Sequence, residues 1–464
     1  MLFNSTIFLQ FFAAFLLLFF LCRKSLAARN YLVLGASCLF YAWWDYRFLA
    51  LLMVTGCVDF AVGLGMVSSR TKRRRRGFLC LSLVVDLSIL GFFKYFNFFV
   101  DSFAALLAPL HLNLATLEIL LPVGISFYTF QSLSYVVDVY RGQAEPTRSL
   151  VQYLAYISFF PQLVAGPIER CRDLLPQFQR TLVVTGAGMR EGLWLILWGL
   201  FKKVVVADNL APMVELVFDH PSPGGPAVLL GAVAFALQIY GDFSGYSDVA
   251  RGLARVLGFN LSVNFRLPYF ATDIRQFWRR WHVTLSSWLR DYLYISLGGN
   301  RRGELRTYVN LLLTMLLGGL WHGAAWNFVL WGGWHGIGLM VHRWWRGYGS
   351  ERFRLPGWLA WFLTMAFVLC GWLLFRARSW DHIQLLFCSL GNWTVLPWAA
   401  EFVARLLVFF LPLGLIEWWQ RRTGDDFVVL AAPGWLRCGV QSLLLLSLVL
   451  FWQKKSVPFI YFQF

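Results

Sequence analysis

The sequence predicts an all-α, polytopic membrane protein. Of its 464 residues, 58% are hydrophobic and only 14% are charged, whereas soluble domains average about 25% charged residues. The mean hydropathy is +0.59. Apolar runs recur from one end of the chain to the other, and many of them approach the length of about 20 residues that a helix needs to cross a bilayer. This composition excludes a soluble globular protein.

The candidate spans follow one another without a long polar linker. Apolar runs of spanning length lie at 4–22, 77–93, 114–137, 192–206, 226–240, 305–320, 323–341, 358–375, 402–418 and 438–452. Shorter or Gly-interrupted runs at 31–44, 48–66 and 150–168 are candidates for tilted or re-entrant segments. Allowing about 20 residues for each span, we predict roughly 11 transmembrane helices with further re-entrant or amphipathic helices. We expect a single membrane domain over 1–464.

Charge indicates the orientation and the partners. Six of the seven residues at 70–76 are Arg or Lys, and the positive-inside rule places such a run on the cytoplasmic side, where it contacts lipid headgroups and not nucleic acid. The net charge is +17, and after the topology-setting residues are set aside, an excess of positive charge remains in segments that look membrane-embedded. That surplus predicts an anionic ligand. The eight cysteines form no C-x-x-C pair, so neither a disulfide framework nor a metal site is expected.

An aromatic and basic stretch at 271–303 has helical spacing. Its aromatic face has a 3, 4, 3, 4 spacing, and its polar face a 4, 3, 4, 4 spacing, which predict one amphipathic helix that begins near Asp273. The aromatic face is Trp278, Trp281, Leu285, Trp288 and Tyr292; the polar face is Arg275, Arg279, His282, Ser286 and Arg290. The helix either meets lipid phosphates at the interface or lines a pocket for a phosphorylated ligand.

Two further stretches bring polar groups to membrane depth. Asp242, Asp248 and their polar neighbours directly follow an apolar run, and ionisable groups there usually face an interior cavity. A polar helix end is the alternative. Pro and Gly interrupt several runs, such as the segment at 158–170. Broken backbone at this depth is tolerated only where protein buries it or where it lines a wet cavity, so we expect a hollow, irregular core.

The tripeptide Trp-His-Gly occurs twice, at 321–323 and 334–336. On a helix, 13 residues place the two imidazoles about 220° apart, so His322 and His335 cannot form a two-histidine metal pair. Glycines on both sides of His322 are expected to leave open space around its ring, where an imidazole can act as a general base near neutral pH. A structural hydrogen-bonding role is the alternative. We interpret His335 as structural.

The residues at 265–303 and 316–336 resemble the membrane-bound O-acyltransferase superfamily, and within it the bacterial branch of AlgI-like alginate O-acetylation proteins and DltB-like D-alanyl transfer proteins. Supporting stretches are 123–142, 159–170, 241–253 and 458–464. The resemblance implies a multi-pass enzyme of the bacterial inner membrane, with a ring of helices around a central tunnel and an active-site core at about 120–345. It also implies that an acyl thioester enters from the cytoplasm and that periplasmic SGNH-type proteins place the acyl group on an exported polysaccharide.

The resemblance also assigns roles to single residues. It implies that His322 is the general base and that His282 is a second active-site histidine, which orients the substrate or stabilises the oxyanion. The donor is expected to be acetyl-CoA, with no metal. Our own assignment gives the phosphates of the donor to Arg275, Arg279 and Arg280. The segment 458–464 resembles the terminal motif of a small D-alanylation partner, so Tyr461 is a candidate acyl relay; an aromatic residue at the membrane interface is the alternative.

Three functions remain open at this point. The first is acetyl transfer for O-acetylation of alginate, cellulose or another exopolysaccharide, with peptidoglycan as a further alternative. The second is D-alanyl transfer to a cell-wall polymer, although the terminal motif stands on the main chain here, which favours acetyl transfer. The third is a membrane transporter without chemistry.

Overall fold

The computed structural model describes residues 1–110, 116–164, 166–348, 355–453 and 459–460, and within these ranges it contains helices and no strand. The predicted all-α class is confirmed. Five of the described helices or helical runs are long and apolar enough to cross a membrane: Tyr46–Ser68, Lys72–Leu107, Gly225–Val256, Gly357–Arg376 and Ala399–Thr423. Thr6–Cys22 and Gly434–Leu450 are shorter apolar helices. The predicted number of about 11 spans stays a prediction.

The chain divides into two compact units, and the first comprises Met1–Gly192 and Leu253–Ser262. Its helices are α1 (Thr6–Cys22), α2 (Leu26–Ala42), α3 (Tyr46–Ser68), α4 (Lys72–Leu90), α5 (Phe96–Leu107), α6 (Ile125–Arg141), α7 (Leu150–Ile157), α8 (Phe160–Leu163), α9 (Cys171–Phe178) and the start of α10 (Gly186–Leu200). Several begin after a Ser, Thr or Asp whose side chain accepts a hydrogen bond from a first-turn N–H, as such caps do. These caps are Ser5, Ser25, Asp45, Thr71 and Ser149.

A buried arginine ties α2 to α9 in the first unit. The guanidinium of Arg29 donates to the carbonyls of Gln177 and Arg180 at 3.0 and 2.9 Å, and Asn30 donates to that of Phe178 at 2.7 Å. The last carbonyls of a helix have no partner within it, so these two side chains cap the C-terminus of α9. Glu169 accepts from the N–H of Ser262 at 2.6 Å, which gives the polar end of the segment at 158–170 a structural role.

The second unit comprises Leu193–Gly252 and Val263–Phe464. It contains the rest of α10, a π-helical segment at Phe201–Ala207, α11 (Asp208–Phe218), α12 (Gly225–Val256) up to Gly252, α13 (Ile274–Arg280), α14 (Val283–Trp288), a second π-helical segment at Leu289–Tyr294, α15 (Glu304–His322), α16 (Trp326–Tyr348), α17 (Gly357–Arg376), α18 (Trp380–Ser389), α19 (Ala399–Thr423), α20 (Val428–Ala431) and α21 (Gly434–Leu450). The core of this unit combines aliphatic side chains with Phe, Trp and Tyr. The prediction of one domain over 1–464 stays a prediction.

Glycines bring α15 and α16 into backbone contact. A Cβ atom on Gly332 would lie 2.2 Å from the carbonyl oxygen of Met315, and one on Gly319 would lie 2.1 Å from that of Phe328. No real Cβ approaches so closely, so only glycine permits this packing. The expectation that glycines leave open space around His322 is wrong, because a Cβ on Gly323 would also overlap the ring of Phe328 at 2.1 Å.

Two boundaries differ from those that hydropathy predicts. The run at 114–137 is not one span, since α6 begins only at Ile125, after Gly124 in the left-handed region. The run at 226–240 continues through the polar stretch to Val256, as one helix of 32 residues. The polar side chains of Asp242 and Asp248 are therefore inside a helix and not at its end. The helix tolerates them because they pair with lysines, as described below.

Candidate active site

The predicted continuous helix at 271–303 is interrupted at its centre, and this break positions His282. Helix α13 ends at Arg280, Trp281 is extended, and His282 has φ +43 and ψ 55. Left-handed backbone is uncommon for residues other than glycine and is retained where surrounding contacts hold it. The break turns His282 away from the arginine face, so the prediction that His282 and Arg275 share one helical face is wrong.

Asn264 holds the backbone and the ring of His282. Its carbonyl oxygen accepts from the N–H of Val283 at 2.8 Å, and its side-chain Oδ1 lies 3.0 Å from Nδ1 of His282. The hydroxyl of Thr284 donates to the same Oδ1 at 2.9 Å. The amide end of Asn264 donates to Ser247 at 3.2 Å. Asn264 thus fixes the break from 18 residues earlier in the chain.

This arrangement selects one tautomer of His282. The backbone N–H of Thr284 also points at the Asn264 side chain, and a backbone N–H can only donate, so the atom between Thr284 and His282 is the oxygen. Nδ1 of His282 therefore carries the proton, and Nε2 is the acceptor nitrogen. His282 lies outside the five long apolar helices, and burial lowers its pKa below the usual value. The ring is neutral at physiological pH.

His322 is the last residue of α15, and its ring lies in an aromatic cage. Its centroid is 5.0 Å from that of Trp331 and 5.6 Å from that of Phe375, both edge to face. Its exposed fraction is 4%. The ring of His282 lies 6.4 Å away at an angle of 63°, too far for a direct hydrogen bond between ring nitrogens. The fold thus brings both predicted histidines together in the second unit.

His335, the other repeated histidine, lies on the other side of the Trp331 contact network, and Trp331 touches both histidines. It packs against Trp331, Trp278 and Phe277 at centroid distances of 4.8, 5.2 and 6.0 Å. It is fully buried on α16. These contacts agree with a structural role. Among the described residues, no group of three or more His, Cys, Asp or Glu could hold a metal ion.

Residues of α13, α15 and α16 line a basic cavity of about 760 Å³. This volume is in the range of small-molecule sites. Five basic side chains line it, Arg275, Arg290, His342, Arg343 and Arg346, with Glu304 as a carboxylate. Guanidinium groups bind phosphates through paired hydrogen bonds. The cavity therefore suits an anionic, phosphate-bearing ligand.

The three arginines predicted to bind the donor separate in the structure. Arg275 lines the cavity. Arg279 is exposed and does not line it, and Arg280 donates to the carbonyl of Leu267 at 3.3 Å. Sequence reasoning missed Arg343 and Arg346. Their position in the last two turns of an apolar helix was the available signal.

Neither His282 nor His322 lines the cavity. Met315 lines it, and His322 follows seven residues later on the same helix, about 10 Å along the axis. Trp278 also lines the cavity and packs edge to face on Trp331 at 5.6 Å, and Trp331 in turn contacts His322. Two indoles therefore connect the cavity to the histidine pair.

Tyr461 lies outside the described residues. The two residues before it, Phe459 and Ile460, are described and buried in the second unit.

Comparison with known proteins adds the family. The profile of the MBOAT, membrane-bound O-acyltransferase family matches residues 145–379, which includes both histidines and most of the cavity. The chain belongs to the membrane-bound O-acyltransferase family. It is accordingly a multi-pass membrane enzyme that transfers acyl groups, and the predicted family is confirmed.

Curated relatives cover the chain from end to end. A "Probable alginate O-acetylase AlgI" from Azotobacter vinelandii is 45% identical over 402 residues, which are 85% of this chain and 79% of that relative. A protein of the same description from Pseudomonas putida is 41% identical over the full length of both chains. A "Peptidoglycan O-acetyltransferase" from Helicobacter pylori is 38% identical over 77% of this chain and 72% of its own.

Proposed function

We propose that the protein takes acetyl groups from a cytoplasmic thioester, acetyl-CoA, and passes them across the inner membrane for O-acetylation of an exported polysaccharide. Three relatives that cover most of the chain have names that describe O-acetylation, two of them of alginate. The observation that carries the proposal is the pair of buried imidazoles, His282 and His322, in the family's domain. Alginate is the favoured polymer, and cellulose or another exopolysaccharide fits the same chemistry.

His322 is the general base of this reaction. An acceptor hydroxyl attacks the thioester carbonyl carbon while the imidazole takes the hydroxyl proton, so that a new C–O bond forms. The C–S bond then breaks, and the departing sulfur takes the proton from the imidazolium. Proton transfer by a positioned side chain accelerates such reactions by about 10²–10⁴-fold. The aromatic cage excludes water, which would otherwise compete as the acceptor.

His282 orients the substrate through a donor group other than the attacking hydroxyl, whose single proton goes to His322. Because Nδ1 donates to Asn264, the neutral ring offers Nε2 as an acceptor and has no second N–H for an oxyanion. Of the two roles that the family resemblance implies, orientation of the substrate therefore fits the geometry, and stabilisation of the oxyanion does not.

The basic cavity receives the donor. Arg275, Arg343 and Arg346 line one wall of it and would bind the phosphates of the nucleotide part. The positive-inside rule places such an arginine-rich surface on the cytoplasmic side, where acyl-CoA is found. The thioester arm then passes Trp278 and Trp331 to reach His322. The acetyl group leaves towards a periplasmic acceptor of the SGNH type.

Two matched substitutions test the role of His322. In membrane vesicles, His322→Gln should lower acetyl transfer from labelled acetyl-CoA by at least about 10²-fold while the protein still folds. His335→Gln removes the other histidine of the repeated tripeptide and should leave transfer, per folded molecule, close to wild type. Transfer that persists in His322→Gln would overturn the role of His322 as the general base; transfer of D-alanine instead of acetate would favour the cell-wall alternative.

Tyr461 is the proposed acyl relay. Trapping of the enzyme during turnover, followed by mass spectrometry of the C-terminal peptide, should show an added acetyl group on this tyrosine. An unmodified peptide in a trapped state would contradict the relay and leave the role of His322 untouched.

A further inference from the structure

The motif at 458–464 is called here the C-terminal segment, and its described residues are Phe459 and Ile460. A carboxylate in the middle of a membrane helix binds this described part. Asp242 lies on α12 and is 2% exposed, and its Oδ2 accepts from the backbone N–H of Ile460 at 2.6 Å. This hydrogen bond joins residues 218 positions apart. A carboxylate that accepts from an amide makes one of the stronger hydrogen bonds in proteins.

Lys203 pairs with the other oxygen of this carboxylate. Its ammonium, in the π-helical segment at Phe201–Ala207, lies 2.7 Å from Oδ1 of Asp242 and 2.7 Å from Oδ1 of Asp208. All three side chains are about 3% exposed. One ammonium thus faces two carboxyl groups, and a buried charge needs full compensation. The N–H of Ile460 supplies a further donor on the side of Asp242 that the lysine does not occupy.

The bound segment is adjacent to the histidine pair. The ring of Phe459 packs on Tyr246 at 4.7 Å and on Phe243 at 5.7 Å. Phe243 in turn contacts the ring of His282 edge to face at 4.6 Å. Helix α12 therefore supplies Asp242, Phe243 and Tyr246, which hold Phe459 and Ile460 close to the ring of His282.

The chain that leads to this segment has a second anchor on α11. The side chain of Asn209 donates to the carbonyl of Phe451 at 3.0 Å and accepts from the amide of Gln453 at 2.6 Å. Asn209 directly follows Asp208, the other partner of Lys203. The end of α21 and the terminal segment are thus both fixed against the region at 203–209.

We propose that Asp242 is a positioning residue for acyl transfer: paired with Lys203, it holds the C-terminal segment at the histidine pair, and transfer requires the segment to be held there. This inference rests on the proposed function. It adds a requirement that neither the family resemblance nor the general-base role includes, namely that an ion pair within the membrane helices controls the docking of the chain's own terminus. It applies whether or not Tyr461 carries the acyl group.

Asp242→Asn tests the inference, with Asp248→Asn as the matched control. Both aspartates lie on α12, and each pairs with a buried lysine, since Asp248 contacts Lys202 at 2.5 Å and Arg251 at 2.9 Å. Of these two aspartates, Asp242 alone contacts the described residues of the C-terminal segment, Phe459 and Ile460. A second variant, Ile460→Pro, removes the N–H donor itself and leaves every charge in place.

Two readouts are made on the purified full-length enzyme. The first is the rate at which carboxypeptidase removes C-terminal residues, and the second is acetyl transfer, resolved into kcat and the KM of acetyl-CoA. We expect Asp242→Asn and Ile460→Pro to raise the removal rate and to lower kcat, each by about tenfold or more, the effect of losing a hydrogen bond to a charged group. The KM should stay unchanged, because no residue of this cluster lines the donor cavity. Asp248→Asn should leave both readouts near wild type.

The outcomes separate this inference from the proposed function. If carboxypeptidase removes C-terminal residues no faster from Asp242→Asn and Ile460→Pro than from the wild type, Asp242 does not anchor the C-terminal segment. Faster removal with an unchanged kcat would overturn the requirement for docking. A fall of similar size in Asp248→Asn would show a general effect of ion-pair loss and would also overturn it. The general-base role of His322 fails if His322→Gln retains transfer, and acetyl transfer itself fails if the enzyme transfers D-alanine instead. The carboxypeptidase readout remains valid in either case.

Discussion

Nδ1 of His282 lies 3.0 Å from Oδ1 of Asn264, and this contact fixes both the tautomer and the direction of the imidazole. Asn264→Ala removes the acceptor, so the ring can rotate and exchange tautomers. We expect acetyl transfer to fall by about 10–100-fold, as when other imidazoles lose the hydrogen bond that orients them. The free energy of unfolding should fall by about 1–3 kcal/mol, because the hydroxyl of Thr284 also loses its partner.

Asn30→Ala is the control for this effect. Asn30 is likewise buried and donates to a carbonyl, that of Phe178, at 2.7 Å, but it belongs to the first unit and does not contact an imidazole. It should destabilise the protein to a similar extent and leave transfer per folded molecule unchanged. Equal losses of activity in the two variants would show that Asn264 acts only through stability.

The order of the helices could be predicted from the sequence, whereas the break at His282 could not. Hydropathy placed the runs at 305–320 and 358–375 within about two residues of α15 and α17, because burial in lipid selects long apolar segments. The stretch around Trp281 has ideal helical spacing and no Pro or Gly. Its left-handed turn is imposed by Asn264 from elsewhere in the fold, and a local pattern contains no sign of such a contact.

Only some residues of the candidate site could be predicted, because the others meet through contacts between distant segments. His322 and His282 could be found because a family motif surrounds each of them. Lys203 and Asp242 could not be paired, since the lysine interrupts an apolar run that otherwise reads as a plain span. Their ion pair depends on how helices pack, and hydropathy contains no information about which faces meet.

The packing of α15 on α16 should depend on single glycines. Gly332→Ala places a Cβ 2.2 Å from the carbonyl oxygen of Met315, while Gly333→Ala, at the next position, meets only Leu316 at 3.5 Å. We expect Gly332→Ala to lower the free energy of unfolding by about 1–3 kcal/mol, the typical cost of overpacking. Gly333→Ala should be neutral or stabilise the helix by up to about 1 kcal/mol.

Thermal unfolding in detergent measures both glycine variants. Because α15 ends at His322, Gly332→Ala should also lower acetyl transfer per folded molecule. If the two variants have the same melting temperature, the close approach of the helices does not contribute to stability.

Arg275 and Arg279 should differ in their effect on the donor, although they lie one turn apart on α13. Arg275 lines the basic cavity and Arg279 does not. Arg275→Gln removes one charged hydrogen-bond donor, so we expect the KM of acetyl-CoA to rise by about tenfold or more, with kcat nearly unchanged. Arg279→Gln should have a KM within about twofold of wild type. Steady-state kinetics in vesicles that expose the cytoplasmic face measure both, and a reversed order would place the donor elsewhere.

Salt should weaken the binding of the donor and leave the rate of the chemical step unaffected. The Debye length falls from about 30 Å at 0.01 M to about 8 Å at 0.15 M ionic strength, so the attraction between phosphates and the arginines at the cavity, Arg275, Arg290, Arg343 and Arg346, is screened. We therefore expect the KM of acetyl-CoA to rise several-fold between about 0.01 and 0.15 M salt, while kcat changes little. The thioester of N-acetylcysteamine has no phosphate, and its KM should not respond. A parallel rise for both donors would mean that salt acts on the protein and that the arginine-lined cavity does not bind phosphate.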